Sequence, residues 1–373
     1  MNAVAKLLGL LVVGVLAPTG SHAASVYTKV QAISPTTVSV GWTPFGSSVT
    51  AYKIYRDGAL LSTTSSLSNL SYVDLTVKPA MQYTYSVHAV NADNSMVDGG
   101  SATVRTFELP VRYKTTFEED ATLPTALVGG WTKIAGNTNC VTVTSERSRA
   151  GGQSVKFDFN FSDWQKVDLG VRCQLTQRSS NLITPATLGQ DFWLGVSTYI
   201  DDSWQPDDSN NGELIWQFHG NTGGPAQSGP PPMALYIHGS SVQVIVNGDP
   251  LTVYPSGGRS GPVGRAIATF DLSELKGKWT DWVIQVNFEF VNGRTVVWKN
   301  GAKVADDSGP NIYHWIGERI SIGPFWNFGV YKWNWGSFPT LVSNRTVYFD
   351  EIRIGTANAS CADVKPTGSA PCQ

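Results

Sequence analysis

Residues 213–224 read ELIWQFHGNTGG, an apolar run with a glutamine and a histidine set two apart and then broken by glycine. On a strand, successive side chains point to opposite faces, so Gln217 and His219 share one face and Trp216 and Phe218 the other. One face is built for a core, and the other presents an amide and an imidazole. The segments around it carry the same signal: SVKFDFNF, WLGVSTYI, MALYIHG, VQVIVNG, DWVIQVNFEF, RTVVWKNGAKV and TVYFDEIRIG are strand-like runs bounded by turn residues. No segment shows a long helical apolar stripe, so the expectation is an all-β chain. Ten or more strands in one unit from about residue 112 imply a two-sheet sandwich or jelly roll.

Earlier in the chain the character differs. Residues 25–108 hold shorter strands, among them TVSVGWT, AYKIYRDG, QYTYSVHAV and ATVRTF, with Asp57-Gly58 as a hairpin turn signal. Trp42, the YKIYRDG strand and turn at 52–58, and Pro79 followed by Tyr83 and Tyr85 make this segment resemble a fibronectin type III domain. The resemblance implies a small sandwich acting as a spacer or adhesive module, with Tyr85 as its tyrosine corner. His88 is expected to be structural.

The first residues, MNAVAKLLGLLVVGVLAPTGSHAAS, carry one lysine, an apolar run from Leu7 to Leu16, and small Ser21 and Ala23. They read as a signal peptide over 1–23, cleaved after Ala23, with a secreted or periplasmic product that has no membrane association afterwards. Export permits disulfides, and the four cysteines, Cys140, Cys173, Cys361 and Cys372, form no CxxC pair. Three pairings are available to them; Cys140–Cys173 with a Cys361–Cys372 loop in the tail 358–373 is preferred. The 373 residues carry a formal charge of -2, so bulk charge gives no sign of a nucleic-acid partner, and a monomer is expected.

Three strands offer polar faces of related chemistry. VRCQLT presents Arg172, Gln174 and Thr176; WQFHG presents Gln217 and His219; GPFWNFGVYKWNW, at 323–335, presents Asn327, Gly329, Tyr331, Trp333 and Trp335 if alternation holds throughout. Amides, an arginine, a histidine and a tyrosine together suit an acidic polysaccharide. Gly329 is expected to leave room for a ligand near the backbone, and Lys332 to face away from Tyr331.

These residues carry a second resemblance. The tyrosine segment at 323–335, with Gln217-Phe-His219, the WKNGAKV turn at 298–304 and the strand YFDEIRIG at 348–355, makes residues 112–357 similar to the heparin lyase I-like polysaccharide lyases. These are jelly-roll enzymes of concanavalin A-like fold that include glucuronan lyases, and the pattern is also similar to jelly-roll alginate lyases. The resemblance implies β-elimination on a uronate polymer such as glucuronan, alginate or a heparin-like glycan. It also implies Gln217 and Arg172 on the carboxylate, His219 and Tyr331 as base and acid, and Gln174, Asn327, Trp333 and Trp335 as substrate-binding residues. The chain departs from related lyases at Gln174, where an acid is common two after the arginine, and at Asn327, where a lysine is common. No cofactor is required by this chemistry, and no metal is assigned to the catalytic site. Glu118 or Glu119 with Asp350 could hold a structural calcium. His238 and His314 lack a polar partner at strand spacing and read as structural or rim residues. The competing readings are a non-catalytic glycan-binding sandwich and a glycoside hydrolase. The hydrolase needs two carboxylic acids facing one groove, and Asp350 and Glu351 are expected on opposite faces.

Overall fold

The computed structural model describes residues 26–46, 49–107, 109–118, 127–128, 130–136, 138–163, 166–167, 170–177, 185–208, 212–220, 229–250, 263–313, 323–335 and 339–373. The stretch read as a signal peptide, 1–23, and Glu119, His314 and most of the glycine- and proline-rich stretches 220–232 and 255–264 lie outside the described residues. The chain is all-β; its one α-helix among the described residues is Cys361–Val364, four residues long. No helix among the described residues is long and apolar enough to cross a membrane.

Seven strands come first: β1 (Thr28–Ser34), β2 (Thr37–Trp42), β3 (Ala51–Arg56), β4 (Ala59–Thr64), β5 (Ser71–Asp74), β6 (Gln82–Val90) and β7 (Met96–Arg105). They form a three-stranded sheet, β1-β2-β5, and a four-stranded sheet, β4-β3-β6-β7. Between them lies a core of Val38, Val40, Trp42, Tyr52, Ile54, Tyr85 and Val87. Asp57 and Gly58 turn the β3–β4 hairpin with positive φ at both residues, the conformation that an Asp-Gly pair supplies. The Tyr83 hydroxyl reaches back to backbone and accepts from Lys78 N at 2.9 Å. Tyr85, expected in that role, instead donates to the buried Asp74 carboxylate at 2.8 Å, and the corner-like backbone bond is made two residues earlier, from Tyr83.

The larger unit contains β8 (Val111–Thr115), β9 (Leu127–Val128), β10 (Trp131–Ala135), β11 (Val141–Thr144), β12 (Ser154–Asn160), β13 (Lys166–Val167), β14 (Gly170–Thr176), β15 (Asp191–Ile200) and β16 (Glu213–His219). It continues with β17 (Met233–His238), β18 (Ser241–Gly248), β19 (Val263–Asp271), β20 (Trp279–Asn287), β21 (Arg294–Lys299), β22 (Ala302–Ser308), β23 (Phe325–Tyr331) and β24 (Asn344–Gly355). One sheet runs β19-β18-β17-β16-β23-β14-β10-β9, and the other runs β11-β12-β24-β15-β20-β21-β22, with β8 beside β24. Their inner faces meet through rings: Phe328 of the first sheet lies 5.7 Å from Phe157 and 4.9 Å from Phe349 of the second. Ile33 of β1 joins this same core.

Both expected disulfides form, Cys140–Cys173 and Cys361–Cys372. The first ties β14 to the turn before β11. The second closes the C-terminal tail, which lies across the outer face of the second sheet against Trp193, Val283 and Trp298. An ideal Cβ on Gly195 would sit 1.7 Å from the Val364 carbonyl oxygen, so the tail's close approach requires glycine there.

The carboxylates considered for calcium are engaged with backbone donors. Glu118 accepts from the amides of Gly152 and Gln153, and Asp350 from those of Arg149, Ala150 and Glu351. Among the described residues no group of three or more His, Cys, Asp or Glu is placed to hold a metal.

Candidate active site

Three adjacent strands, β16, β23 and β14, put the polar face together. Gln217 pairs with Asn327, which pairs with Thr176, and Gln174 pairs with Gly329. Alternation sends Trp216, Phe218, Trp326, Phe328, Cys173 and Leu175 into the core and leaves the amides on the opposite face. Gln217 Nε2 donates to Gln174 Oε1 at 3.2 Å across the intervening strand. Gln174 and Gln217 are 0% exposed and Asn327 is 1% exposed. Yet Gln174 Nε2, Gln217 Oε1 and Asn327 Oδ1 have no hydrogen-bond partner among the described residues. Buried amide atoms without partners are costly, and a cluster of them marks a place where a polar ligand group would complete the set.

Beside the amides is a second cluster. Arg172 pairs with Tyr331 across β14 and β23, and its guanidinium carbon lies 4.0 Å from the Tyr331 ring centroid. The ring leans over Gly170, where an ideal Cβ would be 2.5 Å from the phenol oxygen. Trp333 lies 5.7 Å from Tyr331 and 6.3 Å from Tyr236. Tyr236 is parallel to His238 within 2°, with His238 exposed at the rim. Burial raises the Tyr236 phenol above its ordinary range. Tyr236 escaped the sequence reading, although MALYIHG contains it: alternation from Ala234, the partner of Gln217, puts Tyr236 and His238 on this same face.

The structure does not bring His219 to Tyr331. His219 pairs with Phe325, on which its ring stacks at 5.4 Å, while Tyr331 pairs with Leu214. Five residues of strand separate Leu214 from His219, about 16 Å. Tyr331 also leans towards Gly170, away from the amides' end of β14. The imidazole Nδ1 lies 3.0 Å from the Gly220 carbonyl oxygen.

Two other expectations are corrected, and a third holds. Trp335 is not on the polar face: β23 ends at Tyr331, the chain turns, and Trp335 is fully buried against Phe159 and Phe161. Gly329 does not make room for a ligand. An ideal Cβ there would be 2.4 Å from the Cys173 carbonyl oxygen and 2.6 Å from the Phe157 ring, and its φ of 120° suits glycine at the bulge facing β16. Lys332 does face away from Tyr331, as expected, but into a buried ion network: its Nζ lies 3.1 Å from Asp207 and 3.3 Å from Glu213. Glu213 also accepts from Arg345 at 2.8 Å. Glu213 is the one carboxylate on β14, β16 and β23, and this network holds it off the polar face. A two-carboxylate hydrolase has no acid pair on these strands.

A family model described as polysaccharide lyase matches residues 124–353. No curated protein matches the chain. Among solved structures, the chain is similar to the alginate lyase Aly36B at 11% identity, over 61% of this chain and 97% of that one, with a TM-score of 0.36. It is similar to a GH131 β-glucanase catalytic domain from Podospora anserina at 12% identity, over 62% and 87% of the two chains, with a TM-score of 0.40. It is also similar to the PL7 alginate lyase AlyA1 from Zobellia galactanivorans at 12% identity, over 56% and 79%, with a TM-score of 0.34.

Proposed function

The chain belongs to the polysaccharide lyase family, and on that premise we propose that this lyase is a secreted enzyme cleaving a uronate-containing polysaccharide by β-elimination. The observation that carries the reading is the buried trio Gln174, Gln217 and Asn327, whose amide atoms await a polar partner on a sheet face otherwise lined by Arg172 and Tyr331.

In such a reaction a base takes the proton at C5, the electron pair forms the C4–C5 double bond, and the C4–oxygen bond breaks with its oxygen taking a proton. The C5 proton lies next to a carboxylate, so its removal piles negative charge on negative charge. Neutral amide donors and a guanidinium at the carboxylate relieve that build-up, and because the sheet holds them in place they need no rearrangement in the transition state. Gln174, Gln217 and Asn327 supply the amides, with donor and acceptor ends interchangeable by a flip of the group.

Tyr331 is the proton-transfer residue in this reading. Arg172 lies over its ring, which puts positive charge against the aromatic system that takes up charge when the phenol gives up its proton. When the C5 proton and the leaving oxygen are on the same side of the sugar ring, the Tyr331 side chain, starting as the phenolate, can take the C5 proton and, now a phenol, deliver that proton to the leaving oxygen. His219, about 16 Å along the strand from Tyr331's partner, is too far along the groove to share that sugar and instead holds a neighbouring part of the chain. Trp333 and Tyr236 offer rings to the pyranose faces beyond Tyr331.

The larger unit is proposed to be a heparin lyase I-like jelly roll. The seven-stranded N-terminal sandwich is proposed to be a fibronectin type III module; its three-plus-four sheets, the Asp-Gly turn and the Tyr83 corner support that. The two disulfides and the leader sequence support export.

The test is to incubate the mature protein with glucuronan, alginate and heparin-like glycans, following ultraviolet absorbance of the unsaturated product. Absorbance should rise on at least one polymer and vanish with Tyr331→Phe and with Gln217→Ala. A flat trace on every uronate polymer would overturn the assignment.

A further inference from the structure

Away from the groove, where β1 and β7 of the small sandwich meet β8 of the large one, lies a cavity of about 360 Å³. That is within the range of small-ligand sites, about 300–1,000 Å³. Gln31, Arg105, Phe107, Lys114, Thr116 and Glu118 line it. With Thr115, the lining combines two cations, an amide, two hydroxyls and one aromatic ring. Its one carboxylate, Glu118, is already held by two backbone amides, of Gly152 and Gln153.

Lys114 is the unusual member. It pairs directly across β8 and β24 with Arg353, which places two like charges side by side. Arg353 is compensated by Glu351, whereas Lys114 makes no hydrogen bond or ion pair among the described residues. Burial first, and then the Arg353 charge, hold its ammonium below the ordinary lysine range, against the opposing pull of the Glu351 and Asp350 carboxylates. A half-buried cation beside another cation, with carboxylates nearby but none in contact, is stabilised further by an anion that reaches it directly.

We infer that this inter-sandwich cavity is a second glycan site, binding one acidic sugar unit with its carboxylate on Lys114 and Arg105 and its ring against Phe107. The cations select an anion; the ring, the amide of Gln31 and the hydroxyl of Thr116 select a sugar over a bare inorganic ion. The choice of a uronate as that sugar rests on the substrate class proposed above. The N-terminal sandwich then acts as more than a spacer. It contributes half of a holding site, and a polymer engaged at both places binds more tightly than a short fragment that reaches one.

The experiment titrates full-length Tyr331→Phe calorimetrically with tetrasaccharides of glucuronate and of mannuronate and guluronate, with sodium sulfate as the inorganic control. The same titrations are run with Lys114→Gln and Arg105→Gln added, after thermal unfolding has established that these variants fold. Two classes of site are expected, and the cavity changes should weaken one of them by about ten-fold or more while leaving the Gln217-dependent class in place. Turnover of the tetrasaccharide by Lys114→Gln/Arg105→Gln in the active enzyme should stay within about two-fold of the parent. One class of site, indifferent to Lys114 and Arg105, overturns the inference and leaves the groove reading standing. A Lys114-dependent class in a protein that turns over no uronate polymer keeps the cavity and sinks the groove reading. Binding of sulfate as tight as of sugar, or of neither, overturns the cavity as a glycan site.

Discussion

The Tyr331 phenol fills the space that any side chain at Gly170 would need, the ideal Cβ being 2.3 Å from its ring and 2.5 Å from its oxygen. Gly170→Ala therefore moves the proton-transfer group without removing it. Since displacements near 1 Å can cost about 10²-fold in rate, kcat should fall by about that factor while the protein stays folded. In a Tyr331→Phe background the same change should cost little more; a further full loss there would show that Gly170 acts through something else.

Tyr331→Phe and His219→Ala should differ in kind. Removing the proton-transfer hydroxyl should lower kcat about 10²- to 10⁴-fold, with KM little changed. His219→Ala should act mainly on KM. Steady-state kinetics of both variants decide it, and a kcat collapse in His219→Ala would place the base at the histidine despite the register.

Tyr236→Ala should raise KM for polymer by about three- to ten-fold, in line with the loss of one ring contact, and shift the product lengths seen by chromatography. Unchanged KM and products would mean the ring beside Trp333 serves packing alone.

Lys332 sits directly after Tyr331 and is 1% exposed between Asp207 and Glu213. Lys332→Met leaves those carboxylates buried with a single arginine, a loss of about 3–5 kcal/mol by analogy with broken buried pairs. Chemical denaturation measures it. A loss under about 1 kcal/mol would class the network with weak surface pairs.

Asp350 is pushed up to about 7, first by burial and also by neighbouring Glu351, against the backbone amides that favour its charged form. Its folded-state value is above the ordinary carboxylate value, so the folded protein binds a proton that the unfolded chain releases between about pH 4 and 7. This group's contribution is therefore most favourable at the acid end of that window and declines as pH rises through it. The melting temperature of the parent relative to Asp350→Asn should fall from pH 5 to pH 8; a constant difference would contradict the shift.

Much of this could be read from the chain because strand alternation is local. VSVGW, YTYSV and WQFHG each announce which residues go inward, and the structure follows them. Contacts between strands are another matter. Neither β16 nor β23 encodes that Gln217 faces Asn327 while Tyr331 faces Leu214, since register depends on the bulge at Gly329 and on the packing of both strands at once. That is why His219 and Tyr331 looked like partners. Trp335 misled for a related reason: strict alternation presumes that the strand continues, and β23 stops four residues earlier. The β19 strand begins at Val263, at the end of a glycine- and proline-rich stretch whose composition gives no strand signal. Tyr236, by contrast, was available to the same alternation argument that found Gln217.

The tail 356–373 is bound to the outer face of the second sheet, with Gln373 anchored by hydrogen bonds to Gly301 and Trp298. The polar face carried by β14, β16 and β23 looks out on the opposite side of the sandwich. A tether attached to this segment would thus hold the enzyme to a bead or a surface with its polar face towards the liquid, so immobilisation through it should leave a long, viscous polymer free access to that face.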